Sequence, residues 1–204
     1  MRGARIVAGL DEVGRGALAG PVVAAAVALR VADDGLADAL AGVRDSKQLT
    51  PAERGAQFDR ITGGGLPLDV GVGWASPLEI DAVGIARAND LAMLRALAAL
   101  PTPPDHVLVD GYGVRLARLP QAPVVGGDRV SCSIAAASIV AKVRRDAAMV
   151  ALGWDWPAYG FDRHKGYGTA DHIAAIRRHG PTPHHRLSWR PLGPAAAGGP
   201  GRPA

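Results

Sequence analysis

Apolar positions along the chain fall into short, nearly continuous runs and longer, interrupted ones. Ile6 to Leu10, Val22 to Leu29 and Leu68 to Trp74 are short runs bounded by turn-forming residues, and they predict strands. The first two flank the Gly-rich stretch Gly14 to Gly20, which predicts an antiparallel pair. Val107-Leu108-Val109, with prolines before it and Gly111 after it, predicts a fully buried strand with Asp110 at its C-terminal edge. Val124-Val125 predicts another, ending at Gly126-Gly127-Asp128.

Helical signatures separate these runs. Thr50-Pro51-Ala52-Glu53 has the form of a capping box with proline at the first helical position, so a helix is expected towards Ile61. Ser76-Pro77-Leu78-Glu79 repeats the pattern. It opens a longer predicted helix with Ile80, Val83, Leu91, Leu94 and Leu97 on one buried stripe, stopped by Pro101, Pro103 and Pro104. Ser133 to Leu152 and Thr169 to His179 predict two more, the last with Thr169 as N-cap, Asp171 near its positive end and Gly180-Pro181 as the stop.

Three strands, a helix, then alternating strands and helices predict an α/β fold, a mixed sheet with helices packed on its faces and carboxylates at strand ends. A length of 204 residues suits one domain, which we place over residues 1–190. From Pro191 onward the chain is Pro, Gly and Ala with almost no side-chain payload. Residues 191–204 therefore read as a tail, disordered over Pro194 to Ala204.

Composition narrows the setting. Apolar residues make up 48 % of the chain, yet no uninterrupted apolar stretch reaches the roughly 18 residues of a membrane span. The acidic pair Asp11-Glu12 comes too early for the apolar core of a signal peptide. Cys132 is the single cysteine, which excludes an intramolecular disulfide and the usual cysteine-based zinc spacings. A reducing cytoplasm is the expected location. A net charge of +4 and a pI near 9.7 favour a polyanionic partner, as would a generally basic surface. Lys47, Lys142 and Lys165 are the only three lysines, and each lies in a segment singled out on other grounds.

Candidate chemistry begins at Asp11-Glu12, two carboxylates that follow an apolar strand and lead into Val13-Gly14-Arg15-Gly16. Amides and a guanidinium there can approach a ligand closely. Neighbouring strand residues face opposite ways, so both acids serve one site only if the backbone turns at Glu12 or one of them contributes differently. An ordinary acidic turn fits this segment equally well. A dinucleotide-binding glycine fingerprint does not: Gly14, Gly16 and Gly20 miss its spacing and a strand follows where a helix is needed. Asp110 and Asp128 are each read as ending a short apolar strand, where a carboxylate needs water, a donor or a metal. Taken singly, each fits a cap or turn as well.

Together, four carboxylates converging from strand ends could neutralise two divalent cations, Mg²⁺ or Mn²⁺, which activate water and stabilise a leaving oxygen in phosphodiester cleavage. Asp45-Ser46-Lys47, Ser138 to Lys142, and Tyr159 through Tyr167 supply hydroxyls, ammonium groups and rings suited to phosphate and sugar. Asp146 is left out, since it can pair within its own helix. His184-His185 lacks zinc spacing and reads as surface or structural.

Gly9-Leu10-Asp11-Glu12-Val13-Gly14-Arg15-Gly16, Asp45-Ser46-Lys47, Val109-Asp110-Gly111, Gly127-Asp128, Ala136 through Val143 and His164-Lys165-Gly166-Tyr167 occur in an order that resembles ribonuclease HII, collinear from about Ile6 to His185. The resemblance implies a ribonuclease H-like mixed sheet with a C-terminal helical part, and a metal-dependent endonuclease producing 5′-phosphomonoesters. Its substrates would be RNA/DNA hybrids and DNA duplexes containing single ribonucleotides, and a monomer without membrane association is expected. It implies that Asp11, Glu12, Asp110 and Asp128 are catalytic metal ligands. Gly14, Arg15, Gly16 and Tyr167 would read the ribonucleotide junction, with Ser46, Lys47, Ser138, Lys142 and Lys165 as further substrate contacts. Arg15 argues against the sister ribonuclease HIII. Gly126 and Ala135 depart from the Lys and Ser of many relatives. A non-catalytic nucleic-acid-binding module and a metal-dependent phosphatase for small substrates are the competing readings.

Overall fold

The computed structural model describes residues 5–30, 40, 43, 49–111, 113–115 and 118–192. Ser46, Lys47 and the tail from Gly193 lie outside them. Five strands form one sheet: β1 (Ile6–Val13), β2 (Val22–Arg30), β3 (Leu68–Ala75), β4 (His106–Asp110) and β5 (Gln121–Val124), in the order β3-β2-β1-β4-β5. The pairs β1–β2 and β2–β3 are antiparallel, whereas β1–β4 and β4–β5 are parallel. The predicted mixed sheet and hairpin are therefore present.

Both predicted capping boxes form with their two reciprocal hydrogen bonds, Thr50 with Glu53 at the start of α1 (Pro51–Thr62) and Ser76 with Glu79 at the start of α2 (Pro77–Val83). The longer predicted helix is divided. Gly84, at φ +79°, ends α2 and begins α3 (Ile85–Ala98). The stripe also differs from expectation, because Val83 is exposed and the buried positions of α3 are Ala88, Asn89, Asp90, Ala92, Met93, Ala96 and Leu97. Close approach explains the small residues: a Cβ on Gly73 of β3 would lie 2.0 Å from the Ala92 carbonyl oxygen.

Ala8 and Leu10 of β1 and Ala24 and Ala26 of β2 pack against α3 on one face of the sheet. On the other face Ala25 and Val27 pack against α5 (Cys132–Asp155), which extends beyond its predicted span at both ends. Between β5 and α5 comes the short helix α4 (Gly127–Val130). Asp128 thus sits in a helical turn and not at a strand end, and Val125, expected in a strand, is exposed beyond one.

The C-terminal part adds α6 (Phe161–His164) and α7 (Ala170–His179), the latter capped by Thr169 as predicted. Leu18, Met149, Tyr159, Phe161 and Ile176 form a third core there, with Leu192 packed against it. Among the described residues no helix is long and apolar enough to cross a membrane.

Candidate active site

Strand β1 continues through Val13, which pairs with Val23, so the backbone makes no turn at Glu12. Asp11 and Glu12 consequently point to opposite faces at the sheet's open end. Asp11 shares the α5 face with Gly9. A Cβ on Gly9 would come within 2.3 Å of the Ser133 carbonyl carbon, so glycine lets α5 lie close against β1 and brings Ser138 to Asp11. Glu12 shares the α3 face with Leu10, whose parallel partner is Val109. Asp110 follows Val109 and stands beside Asp11, close enough for its charge to act on both Asp11 and Glu12.

Crowding of this kind has a measurable consequence. Burial, then the charges of Glu12 and Asp110, push the Asp11 carboxyl up to about 7, against the pull of Ser138 and the Glu12 amide. Burial also raises Glu12, while Arg15, 3.0 Å away, draws it down and Asp110 pushes it up. The acids repel one another, and the Arg15 ion pair with Glu12 offsets only part of that repulsion. Asp128 is buried, and the neighbouring Gly127 amide donates to Asp110 Oδ1 at 2.8 Å, which links α4 to the end of β4.

Two clefts meet at Glu12. One is lined by Glu12, Arg15, Asn89, Asp90, Asp110 and Arg115, the other by Asp11, Glu12, Arg54, Ser138, Lys142 and Tyr167. The donor set suits a hard divalent cation: the acids supply oxygen ligands only, and Asn89 Oδ1 is buried without a partner among the described residues. The four acids do not form a closed cage, since among the described residues no group of three His, Cys, Asp or Glu is already disposed to hold an ion.

Of the other expected contacts, Ser138, Lys142 and Tyr167 line the second cleft, and Lys142 pairs with Asp146 at 2.9 Å. Lys165 adopts φ 53° and its ammonium is engaged by the Asp162 carbonyl. Gly14 and Gly16 bracket Arg15 just beyond β1, with Gly14 at φ +92°. Sequence reasoning missed Arg54, Asn89, Asp90 and Arg115. A polar pair at Asn89-Asp90, in line with the small and apolar residues Ala88, Ala92 and Met93, was the available signal for two of them. It also missed Arg145, whose side chain is buried beneath the Gly14 to Pro21 segment, donates to the Ala19 and Pro21 carbonyls, and lies 5.4 Å from the centroid of the Tyr167 ring.

The chain matches the family model described as Ribonuclease HII over residues 8–191. Among curated proteins, it is 53 % identical over 190 residues to the ribonuclease HII of Roseiflexus castenholzii, covering 93 % of this chain and 84 % of that protein. It is 53 % identical over 196 residues to that of Rhodospirillum rubrum, covering 94 % and 87 %. Among solved structures, the ribonuclease H2 of Pyrococcus horikoshii superposes with a TM-score of 0.76 at 27 % identity, covering 92 % of this chain and 95 % of that one. The ribonuclease HII solved in complex with PCNA from Archaeoglobus fulgidus gives 0.73 at 26 %, covering 91 % and 95 %.

Proposed function

From the premise that the chain belongs to the ribonuclease HII family, we propose that its active site is the carboxylate cluster Asp11, Glu12, Asp110 and Asp128. The protein is a metal-dependent endoribonuclease that cleaves RNA in RNA/DNA hybrids and acts in ribonucleotide removal from DNA. The observation that carries the site assignment is the crowding of acids at the end of β1 and β4, where Asp11 is pushed up to about 7 by burial and by its acidic neighbours.

The four acids would hold Mg²⁺ or Mn²⁺, which when bound supplies Lewis-acid stabilisation of the phosphodiester and a water of lowered pKa. Ser138 and the Glu12 amide orient Asp11, and the Gly127 amide orients Asp110, so the carboxylates are held before substrate arrives. Lys142 and Arg54 border the cleft that contains Asp11 and supply positive charge for the nucleic-acid backbone. Ser46, Lys47 and Lys165 are assigned to flanking phosphates, with Lys165 released from the Asp162 carbonyl when it binds one.

Gly14, Arg15, Gly16 and Tyr167 are assigned to the junction between a ribonucleotide and the following deoxyribonucleotide. Backbone amides can engage a 2′-hydroxyl, and an exposed ring can pack against a sugar that lacks one. Because the loop follows Asp11 and Glu12 directly, whatever it grips is held near the reacting phosphate. The nick is placed on the 5′ side of the ribonucleotide, leaving a 5′-phosphomonoester. We assign a cytoplasmic monomer and a catalytic domain over residues 1–190; of the segment 191–204, Leu192 still packs on that domain, and the tail proper lies beyond it.

The test is cleavage, by protein supplied with Mg²⁺ or Mn²⁺, of a DNA duplex carrying one ribonucleotide, with product ends mapped. A single nick 5′ of the ribonucleotide is expected. Tyr167→Ala should reduce that cleavage on the order of tenfold, while Lys165→Ala weakens binding in a salt-sensitive way and leaves selectivity in place. Ready cleavage of all-RNA hybrids with indifference to single ribonucleotides would remove the junction-reading role.

A further inference from the structure

The two parts of the assigned junction reader, the Gly14-Arg15-Gly16 loop and Tyr167, are distant in sequence, yet both are held by one segment, Thr182 to Arg186, in which Thr182, His185 and Arg186 are buried. Arg186 is fully buried and its guanidinium donates to three backbone carbonyls: Gly14 at 2.6 Å, Arg15 at 2.8 Å and Gly20 at 3.0 Å. In a trans peptide the carbonyl of one residue and the amide of the next point in opposite directions. Drawing the Gly14 and Arg15 carbonyls inward therefore turns the Arg15 and Gly16 amides outward. Those are amides that a 2′-hydroxyl would meet. Lysine cannot reproduce this, because it lacks the planar fork that serves several carbonyls at once.

His185, adjacent in sequence, holds the other part through a relay whose proton order the geometry fixes. The Thr182 amide donates to His185 Nδ1 at 2.9 Å, so Nδ1 is an acceptor and the proton of this ring sits on Nε2. His185 Nε2 lies 3.1 Å from His172 Nε2, which must then accept. His172 consequently carries its proton on Nδ1, 2.9 Å from the Tyr167 carbonyl oxygen, and donates to it. The same backbone joins the two parts directly, since Gly166 O accepts from the Leu18 and Ala19 amides. Arg186 N in turn donates to the Leu18 carbonyl at 2.9 Å.

We infer that Arg186 and the His185–His172 relay are positioning residues that lock the Gly14-Arg15-Gly16 amides and Tyr167 into one fixed geometry, and so set the selectivity for single ribonucleotides without touching the substrate. The inference rests on the junction-reading assignment above.

Its test is the ratio of kcat/KM on a single-ribonucleotide duplex to kcat/KM on an all-RNA hybrid, measured for wild type, Tyr167→Ala, Arg186→Lys, His172→Leu and His172→Asn. A loss of folded enzyme lowers both rates equally and leaves the ratio unchanged. We expect Arg186→Lys and His172→Leu to lower the ratio on the order of tenfold, mainly through KM on the single-ribonucleotide duplex. His172→Asn, which keeps an N–H where Nδ1 stood, should recover a substantial part of it. If wild type shows no preference that Tyr167→Ala abolishes, the junction assignment itself fails. If Tyr167→Ala abolishes the preference while Arg186→Lys and His172→Leu retain it, the positioning role alone is overturned. Should Arg186→Lys not fold, the two His172 variants decide the relay, and an unchanged ratio in both overturns it.

Discussion

Two regions of this enzyme bury ionisable groups, and they do so in opposite ways. At the end of β1 and β4, acids are brought together with little to neutralise them, and Asp11 is pushed up to about 7. Beneath the Gly14 to Pro21 segment, Arg145 and Arg186 are buried, and among the described residues backbone carbonyls accept their hydrogen bonds in place of acids. Burial and the neighbouring Arg145 charge still lower Arg186 to about 10. The difference separates the proposed site from its scaffold: crowded acids suit an external cation, whereas arginines donating to backbone carbonyls fix the shape of the loops that surround it.

The largest effect that could break this contrast concerns the acids. Asp11→Asn, Glu12→Gln, Asp110→Asn and Asp128→Asn should leave the fold intact and lower activity on the order of a hundredfold or more for at least three of them, since metal positioning carries most of the catalysis. Without metal, Asp11→Asn should also melt no lower than wild type, because a repelled buried charge is removed. Steady-state rates and thermal melts check both statements. Near-normal activity of Asp110→Asn and Asp128→Asn together would mean that the site is elsewhere.

A smaller effect sharpens the contrast through pH. His185 is lowered to about 4, mainly by burial and then by His172, since a second proton would set donor against donor in the relay. Its native value lies below the ordinary 6.5, so the stability it contributes is complete above pH 6.5 and is lost as pH falls towards 4. Asp11 runs the other way. Its native value lies above the ordinary 3.8, so its contribution is complete below pH 3.8 and is lost as pH rises through 7. In metal-free protein the two partly cancel. Asp11→Asn should then give a melting temperature that rises more steeply between pH 4 and 6.5, by an amount on the order of 1 kcal/mol, about 2–4 °C for a chain of this size. An unchanged slope would show that Asp11 is not perturbed.

Legibility in the sequence followed the same division. The strands, both capping boxes and the acids at Asp11, Glu12 and Asp110 depend on local pattern, and each could be read from a few neighbouring residues. Asp128 was read as a strand end because two glycines follow an apolar run, whereas Gly126 caps and Gly127 begins the helical turn of α4 that carries it. The break at Gly84 was hidden because Ile80 and Val83 continue the apolar spacing, and alanines do not show which face of a helix is covered. Arg145 and Arg186 were invisible for a stronger reason. Arginines in a polar stretch normally face solvent, and their carbonyl partners lie at the other end of the chain.

The smallest expected effect tests where the scaffold ends. Trp189 packs against the core shared with α3 and against the C-terminal core, its ring centroid is 5.0 Å from the Arg186 guanidinium, and Leu192 packs beside it. Beyond Leu192 the sequence offers only Gly, Pro, Ala and one Arg, with no side chain large and apolar enough to anchor against a core. Removing Gly193 to Ala204 should therefore change neither melting temperature nor turnover. Removing Leu187 to Ala204 instead takes away the ring that lies over Arg186 and should lower both, with selectivity for single ribonucleotides falling further than hybrid cleavage if the Arg186 clamp loosens. Melting curves and paired rates on the two substrates distinguish these truncations. A clear loss in the shorter deletion would mean that the tail docks on the body or on the nucleic acid.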